Sequence, residues 1–578
     1  VFVRAVRHPE RSNKQEDVEE IFMSNMPTYV ALAQAFAAEG VDHHFALMGD
    51  GNMHWVTAMK DIDGMNTYHA RHEHCACAMA MGYTSATGKV GVASVTCGPG
   101  FTQIMTALTS AARSQVPLVV FAGETPVGAK WYGQIIEQQP LAAACGAHYI
   151  SAHSPQRMYQ YVREAFHIAR HERKPVVIGI PYDLQLQPLP NIGEYKPATQ
   201  ITPVVAPIPP NPDQAAMVAD KLIKAKCPII IAGRGVVWAG GRKEVEELAE
   251  ASGALLSTTL LGRGMYDHNP FSLGVAGGFS RAIAREVFRQ ADLVIAIGAS
   301  LTYYTVDGDT LCPQAEMVQV TLEPLGLRHG NQAADIYMKS DAKLTTVELL
   351  KHVKAAGKTA ASIRTPELAK RIKEEPADAT QYTVAPGELD PRRVFDELEI
   401  VMPKDYDVVS GSGHHSYFHT TMRGGDPTKY HAMRDFGAIG NSISYAIGVA
   451  AARKNGRVVL FEGDGSLLMH IQELEAVRRH GIKLLIVVAN DGAYGAEIHK
   501  LRAEGIDESG AIFGRPNFKA IAEGFGLRGA TVNDVKQLKG LMAEYEKGDT
   551  TMVWDVITSD KVVTPKMIAG VKAGHGVR

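Results

Sequence analysis

The residues with the plainest chemistry lie in the last quarter of the chain. Arg457-Val-Val-Leu-Phe-Glu462 runs into Gly463-Asp464-Gly465-Ser466, and Asp491 follows Asp464 by 27 residues, inside Asn490-Asp491-Gly492. The apolar run reads as a strand entering a tight turn. A helical stretch, Leu467 to Arg479, and a second strand, Leu484 to Ala489, come next. Both aspartates are therefore expected at the carboxyl ends of neighbouring parallel strands, the edge at which such sheets bind ligands. Two carboxylates beside the free amides of a helix N-terminus suit a hard divalent cation that also grips phosphate, and Mg²⁺ prefers such oxygen sites. Gly463 and Gly465 let the backbone approach a diphosphate with no Cβ in the way. Gly-Asp-Gly alone is an ordinary turn with an aspartate at a helix start; the second motif at the end of the next strand is what points to a metal-diphosphate site.

Those strands need a framework, and 578 residues, 46% hydrophobic and 21% charged, exceed one ordinary domain and favour three. Prolines crowd Lys196 to Pro212, and Gly357 to Gly387 is rich in Lys, Glu, Thr and Pro; both are expected as extended linkers. They leave segments 24–195, 203–356 and 388–578. In the first, helical Tyr29 to Glu39, an apolar run near Phe45, helical Glu73 to Ala86 and strand Val90 to Thr96 alternate. Strand Pro228 to Ala232, helix Arg242 to Ala251 and strand Asp292 to Ile297 repeat the texture in the second. Apolar strands separated by helices predict α/β domains with parallel sheets.

Lys+Arg 59 against Asp+Glu 62 gives a formal charge of -3, which excludes partners steered by bulk basic charge, so neither nucleic acid nor an anionic membrane is expected. Six cysteines are too sparse for a disulfide framework, and a cytoplasmic setting is expected. No apolar stretch reaches the roughly 20 residues that span a bilayer. The polar opening, Val1 to Asn25, is expected to pack on another domain or subunit. His72-Glu73-His74-Cys75-Ala-Cys77 reads as buried structural thiols rather than a zinc site, since helical residues two apart point about 200° from each other.

The paired motifs resemble the signature of thiamine diphosphate enzymes. Phe45-Ala-Leu-Met-Gly49-Asp50, Arg71-His72-Glu73 leading to Gly82-Tyr83-Thr-Ser-Ala-Thr-Gly88, and Cys97-Gly98-Pro99-Gly100 resemble the branch that contains acetolactate synthase, pyruvate decarboxylase and benzoylformate decarboxylase. The resemblance covers nearly all the chain after residue 25. It implies three Rossmann-like domains: 24–195 holding the aminopyrimidine, a central 203–356, and 388–578 holding the diphosphate and Mg²⁺. It also implies a homo-oligomer, at least a dimer with shared active sites and commonly a tetramer.

The resemblance assigns Glu73 the carboxyl that hydrogen-bonds the pyrimidine nitrogen, favouring the imino tautomer that deprotonates the thiazolium C2. Ile439, in Phe436-Gly-Ala-Ile439-Gly440, matches the wedge that bends the cofactor into a V. Asp464, Asp491 and the backbone carbonyl of Ala493 would ligate Mg²⁺, with Asp491 standing where many relatives have Asn. Gly413, His414, Gly463, Gly465 and Ser466 would surround the diphosphate, and Gly49 and Asp50 would lie on the cofactor side of the first motif. Glu497 matches a catalytic glutamate of the pyruvate decarboxylase subgroup, whose paired histidine has no counterpart in Val127 to Gln139. His54, His74, His414, His415, His419 and His499 lie in or beside the motifs; His414, His415 and His499 are the candidates for substrate contact. Gln134 or Gln138 would correspond to a substrate-facing glutamine of acetolactate synthases.

The implied function is a lyase or carboligase acting on a 2-oxo acid or 2-hydroxy ketone through an enamine. The alternative is a flavin-linked 2-oxo acid oxidase or a true acetolactate synthase. Gly233-Arg234-Gly235 gives a weak dinucleotide signal that lacks its third glycine. Where FAD-using synthases carry an Arg-Phe-Asp-Asp-Arg-like run, this chain has Gly298-Ala-Ser-Leu301-Thr-Tyr-Tyr-Thr-Val, a departure that points away from flavin.

Overall fold

The computed structural model describes residues 26–323, 334–357, 363–565 and 567. The opening segment to Asn25 lies outside them. Three six-stranded sheets, each parallel at every pairing, carry the architecture. The first comprises β1 (His43–Ala46), β2 (Asn66–His69), β3 (Gly91–Val95), β4 (Leu118–Glu124), β5 (His148–Ser151) and β6 (Pro175–Pro181), in the order β2-β1-β3-β4-β6-β5. The second comprises β7 (Pro228–Ala232), β8 (Leu255–Thr258), β9 (Ser272–Val275), β10 (Leu293–Ile297), β11 (Glu316–Val320) and β12 (Ile336–Met338), in the order β12-β11-β10-β7-β8-β9. The third comprises β13 (Asp407–Ser410), β14 (Tyr430–Ala432), β15 (Val458–Gly463), β16 (Leu485–Asn490), β17 (Arg528–Val532) and β18 (Met552–Ile557), in the order β14-β13-β15-β16-β18-β17. The first and third sheets thus share one topology. The middle sheet has the 3-2-1-4-5-6 order of dinucleotide-binding folds.

The chain divides into two compact units. One contains the described residues up to Pro203 together with Met433–Ala452 and Gln472–His480; the other contains Val204–Ala432, Arg453–Ile471 and the described residues from Gly481 onward. Two helices of the third sequence segment, Ser442–Arg453 for nearly all its length and Glu473–Arg479, therefore belong to the first unit. The expected continuous helix Leu467 to Arg479 is two helices, Asp464–Met469 and Glu473–Arg479, and the break falls where the chain passes between units.

In the first unit, Phe36, Trp55 and Phe121 are fully buried, with Trp55 stacked on Phe121 at 4.1 Å between ring centroids. Each such side chain contributes roughly 1.5–3 kcal/mol by leaving water. Helix Glu73–Thr87 is built of small and apolar residues, begins with the His72 side chain accepting the His74 N–H, and stops at Gly88, whose φ of 74° favours glycine. Its Cys75 and Cys77 are fully buried free thiols. It packs backbone to backbone on helix Ser442–Arg453: a Cβ on Gly82 would stand 2.1 Å from the Tyr445 carbonyl oxygen, and one on Gly448 1.9 Å from that of Met79.

In the second unit, the linker expected at 357–387 instead carries helix Pro366–Glu374, whose Leu368 and Ile372 enter the core beside Ile231, Val294 and Phe288. Thr365 caps it by accepting the Leu368 N–H, with Pro366 in the first turn, a start signal overshadowed by the segment's charged composition. The proline-rich 196–212 segment holds one short helix, Ala198–Ile201, and is exposed from 203 to 209. No helix among the described residues is long and apolar enough to cross a membrane.

Gly448→Ala is expected to lower stability by about 1–3 kcal/mol, because its Cβ meets a carbonyl that cannot move without shifting a helix. Gly540→Ala, in helix Gln537–Lys547 with nothing within 4 Å of the new Cβ, is expected to raise it by about 0.5–1 kcal/mol. Thermal melts of the two variants check both signs.

Candidate active site

At the carboxyl edge of the first sheet, close backbone approaches select glycine. A Cβ on Gly49 would stand 2.7 Å from Thr96, while the Gly51 N–H donates to Thr96 Oγ1 at 3.0 Å. Gly98 has φ 58°, and a Cβ there would come 2.2 Å from the Gln134 carbonyl oxygen. Gln134 Oε1 lies 3.2 Å from Cys97 Sγ. Glu73, half-buried at the start of its helix, has Oε1 3.5 Å from where a Gly100 Cβ would be. The structure therefore brings the Gly49–Gly51 turn, Glu73, Cys97–Gly100 and Gln134 to one edge. Asp50 is exposed in that turn. Gln138 is buried, accepting the Gly98 N–H and donating to the Gly123 carbonyl, which makes it a prop for the Gly98 turn.

The approach to Glu73 is fastened from helix Glu473–Arg479. The His69 N–H donates to His480 Nε2 at 2.8 Å and the Arg71 N–H to Glu473 Oε1 at 2.9 Å. On the other side of Glu73, His74 Nε2 is 2.6 Å from Asn441 Oδ1, and Asn441 Nδ2 donates to the Ala438 carbonyl beside Ile439. Glu73 and the Ile439 segment are thus tied together through their neighbours. Glu473 is fully buried, and burial outweighs the Arg71 amide bond and pushes its carboxyl from 4.5 up to about 7. Sequence reasoning missed Glu473, His480 and Asn441; in Gln-Glu-Leu-Glu475 the buried acid looks like its half-buried neighbour.

The other cluster lies in the second unit. β15 pairs with β16 so that Gly463 faces Ala489, which sets Asp464 and Asp491 just beyond adjacent strand ends. Asp464 is 2% exposed; its Oδ1 accepts the Gly465 N–H at 2.8 Å and its Oδ2 the Gly492 N–H at 2.7 Å. Burial nevertheless raises its carboxyl to about 6. Asp491 is raised well above its ordinary value by burial and by the Asp464 charge, and its Oδ1 accepts the Ala493 N–H at 3.2 Å. Two carboxylates that oppose each other's ionisation form a site that a divalent cation could complete, and the all-oxygen donor set suits Mg²⁺.

Around the pair, Gly413 is exposed with φ 139°, and Ser466 is buried in the first turn of helix Asp464–Met469. His414 Nε2 accepts the Thr564 N–H at 3.2 Å, so the neutral ring carries its proton on Nδ1. Burial, with His499 and His415 nearby, holds His414 well below the usual imidazole range. His499, 4.4 Å from it between ring centroids, is lowered to about 4 chiefly by burial. His415 sits behind the turns, 2.9 Å from where a Gly463 Cβ would stand, with Nε2 3.9 Å from Glu462 Oε1. Glu497 is not brought to this cluster: it is exposed on the face of helix Gly495–Glu504 away from His499, 3.7 Å from Lys500. His419 is buried against Phe395 and Phe461, and His54, in the first unit, packs between Tyr29 and Tyr182. Tyr494 and Phe513, also missed in the sequence, cover Gly465, whose Cβ would meet the Tyr494 ring at 2.7 Å.

In the middle sheet, the Gly233 and Gly235 N–H groups donate to the carbonyls of Ile297 and Gly298, each at 2.9 Å, and a Gly233 Cβ would meet the Gly298 oxygen at 2.2 Å. Close approach of two loops accounts for these glycines.

Comparison with known proteins agrees with this geometry. Residues 26–141 match the N-terminal TPP binding domain of thiamine pyrophosphate enzymes, 215–349 their central domain and 411–556 their C-terminal TPP binding domain, together more than half of the chain. The chain is 27% identical over 491 residues to the acetolactate synthase large subunit of Cyanidium caldarium, covering 82% of each. It is 27% identical over 528 residues to the acetolactate synthase isozyme 2 large subunit of Escherichia coli K12, covering 88% of this chain and 92% of that one. The thiamine diphosphate-dependent 4-hydroxybenzoylformate decarboxylase of Rhodococcus jostii RHA1 shares the fold, with a TM-score of 0.76 and 22% identity over 92% of this chain and 99% of that one.

Glu473 yields a signed expectation. Its folded-state pKa, near 7, is raised above the unfolded 4.5, so its stabilising share is fully present below about pH 4.5 and is lost as pH rises to about 7. Glu473→Gln keeps the acceptor for the Arg71 N–H and removes the titration. Relative to wild type, the variant is expected to gain on the order of 3 kcal/mol between pH 4.5 and 7.5, read from denaturant unfolding. Parallel pH profiles would contradict this.

Proposed function

The chain belongs to the thiamine pyrophosphate enzymes, and from that premise we propose that it cleaves or forms a carbon–carbon bond beside a carbonyl, with a 2-oxo acid as donor. The observation that carries this reading is the Asp464–Asp491 pair at the edge of the third sheet, Asp464 buried and Asp491 half-buried, each pushed towards protonation, in a chain whose first sheet presents Glu73 at the corresponding edge. The donor class is supported by relatives named acetolactate synthase and by a solved neighbour named as a decarboxylase of 4-hydroxybenzoylformate, itself a 2-oxo acid. The second reading, a true acetolactate synthase or a flavin-linked oxidase, draws on the same relatives but meets the divergent Gly298 to Val306 run.

Thiamine diphosphate, when bound, supplies a carbanion that adds to a carbonyl and holds the electron pair left when a carboxylate or acyl group departs. The chain's residues bind and orient. Asp464, Asp491 and the Ala493 carbonyl would hold Mg²⁺; the Gly413, Gly463 and Gly465 turns, with Ser466 and the His414 Nδ1–H, would donate to the diphosphate. Glu73 would hold a proton at the pyrimidine nitrogen, Ile439 would support the ring system, and Gly49 and Asp50 would border it. A neutral His414 donates a hydrogen bond without adding charge. His499 and Gln134 are proposed to face the substrate carbonyl, and Glu497, turned to solvent, to exchange protons with water. His415, packed behind Gly413 and Gly463 beside Glu462, is proposed to steady those turns.

We extend the proposal to assembly and setting: a homo-oligomer, at least a dimer and commonly a tetramer, in which each site takes Glu73 from one subunit and Asp464 from another. Trp131, Ile135 and Val127, 82%, 67% and 62% exposed on the loop that carries Gln134, support a second copy covering that loop. The free thiols support a cytoplasmic setting.

Glu73→Gln is expected to retain thiamine diphosphate while slowing C2 proton exchange, followed by NMR, at least about 100-fold. An unchanged rate would remove Glu73 from the mechanism. Specific activity is expected to fall on dilution in step with dissociation seen by sedimentation, and a fully active monomer would reject shared sites.

A further inference from the structure

The second unit contains a cavity of about 580 Å³ that shares no residue with the candidate active site or with the Gly233–Gly235 turn. It lies between the loop after β8, helix Pro366–Glu374 and residues Thr420–Arg423. Three guanidiniums line it, each anchored by backbone carbonyls. Arg263, 6% exposed, donates from Nε to Thr420 at 3.0 Å and from Nη2 to His419 and Met422 at 3.2 and 2.5 Å. Arg281 donates to Ile372 at 2.8 Å and to Glu375, and Arg423 donates to the same Ile372 carbonyl. Burial holds Arg423 below the usual guanidinium range.

These bonds tie the end of helix Pro366–Glu374 to its surroundings, and that structural role accounts for the nitrogens they use. It leaves Arg263 Nη1 and Arg423 Nε and Nη1 without an acceptor among the described residues; Arg263 also stands 5.4 Å from the Tyr430 ring centroid, and the nearby Asp267 charge favours the Arg423 cation without pairing with its guanidinium. None of the three arginines meets a carboxylate within salt-bridge distance among the described residues. Lys370 and Lys373 add two exposed ammonium groups at the rim. Against these five cations the lining offers two acids: Asp267, which accepts the Gly424 N–H, and Glu374, 4.0 Å from Lys370. His268, also in the lining, is paired with Glu246. Guanidinium nitrogens with spare donors favour phosphate oxygens, which accept several N–H bonds at once. Val275, Phe279, Ile372 and Met422 form an apolar part of the remaining wall, beside the polar Asn269, Ser272, Thr420 and Thr421, and the volume is that of a site for a small organic molecule.

We propose that this cavity binds an organic phosphate of nucleotide size, with the phosphate on Arg263 and Arg423, Arg281 bracing the Ile372 carbonyl it shares with Arg423, and the organic part on the apolar part of the wall. The test is calorimetric titration of ADP into the full chain saturated with thiamine diphosphate and Mg²⁺, with adenosine as the uncharged control. Saturable 1:1 binding of ADP is expected, with no binding of adenosine. The charge reversal Lys370→Glu/Lys373→Glu, at exposed positions, is expected to weaken ADP at least tenfold with an unchanged melting temperature. Should that variant fail to fold, Lys373→Gln alone is expected to weaken ADP at least threefold. The proposal is overturned if ADP shows no binding at millimolar concentration, if adenosine binds as well as ADP, or if the folded lysine variants bind ADP as wild type does.

Discussion

Two carboxylates set at adjacent strand ends, Asp464 buried and Asp491 half-buried, are the constraint around which the third sheet is organised. Asp464 and Asp491 each accept backbone N–H bonds from the turns that carry them, yet burial still drives both towards protonation and Asp464 adds its charge against Asp491. A chain gains nothing in stability from burying such a pair bare. A divalent cation would remove the conflict, and the parallel register of β15 and β16 sets the two aspartates just beyond adjacent strand ends. Under the proposed function, the glycines at 463, 465 and 492, the Tyr494 ring over Gly465 and the neutral His414 would surround the diphosphate that the cation holds.

A second constraint acts on Glu73. The backbone just before it is held by Glu473 and His480, and the residue after it by Asn441, all drawn from the third sequence segment but packed in the first unit. Glycine contacts at Gly82 and Gly448 let the two helices meet at backbone distance. The position of Glu73 therefore depends on residues some 370 to 410 places away in sequence, on either side of the Gly463–Ser466 turn.

Much of this was legible beforehand. The strands around Gly463-Asp464-Gly465 and Asn490-Asp491-Gly492 could be placed to within a residue or two, because apolar runs ending in glycine turns have few other readings. The three α/β domains followed from the same alternation. Partners that carry no local signal were not legible. Glu473 and Glu475 are identical letters two apart, and only the tertiary fold buries one of them. The Leu467 to Arg479 stretch reads as one helix until the transfer of its second half to another unit breaks it. Helix Pro366–Glu374 was hidden by its charge, although Thr365-Pro366 announces it. For His415 and Glu497, which the resemblance offers as catalytic candidates, spacing does not give the side-chain surroundings: His415 packs beside Gly463, and Glu497 is exposed 3.7 Å from Lys500.

The central claim is that the carboxylate pair exists to hold a cation that in turn holds a diphosphate. Its most direct test is calorimetric titration of thiamine diphosphate into chelator-stripped protein, with and without Mg²⁺. The account predicts strong, saturable binding only when the metal is present. Equal affinity in its absence would contradict it.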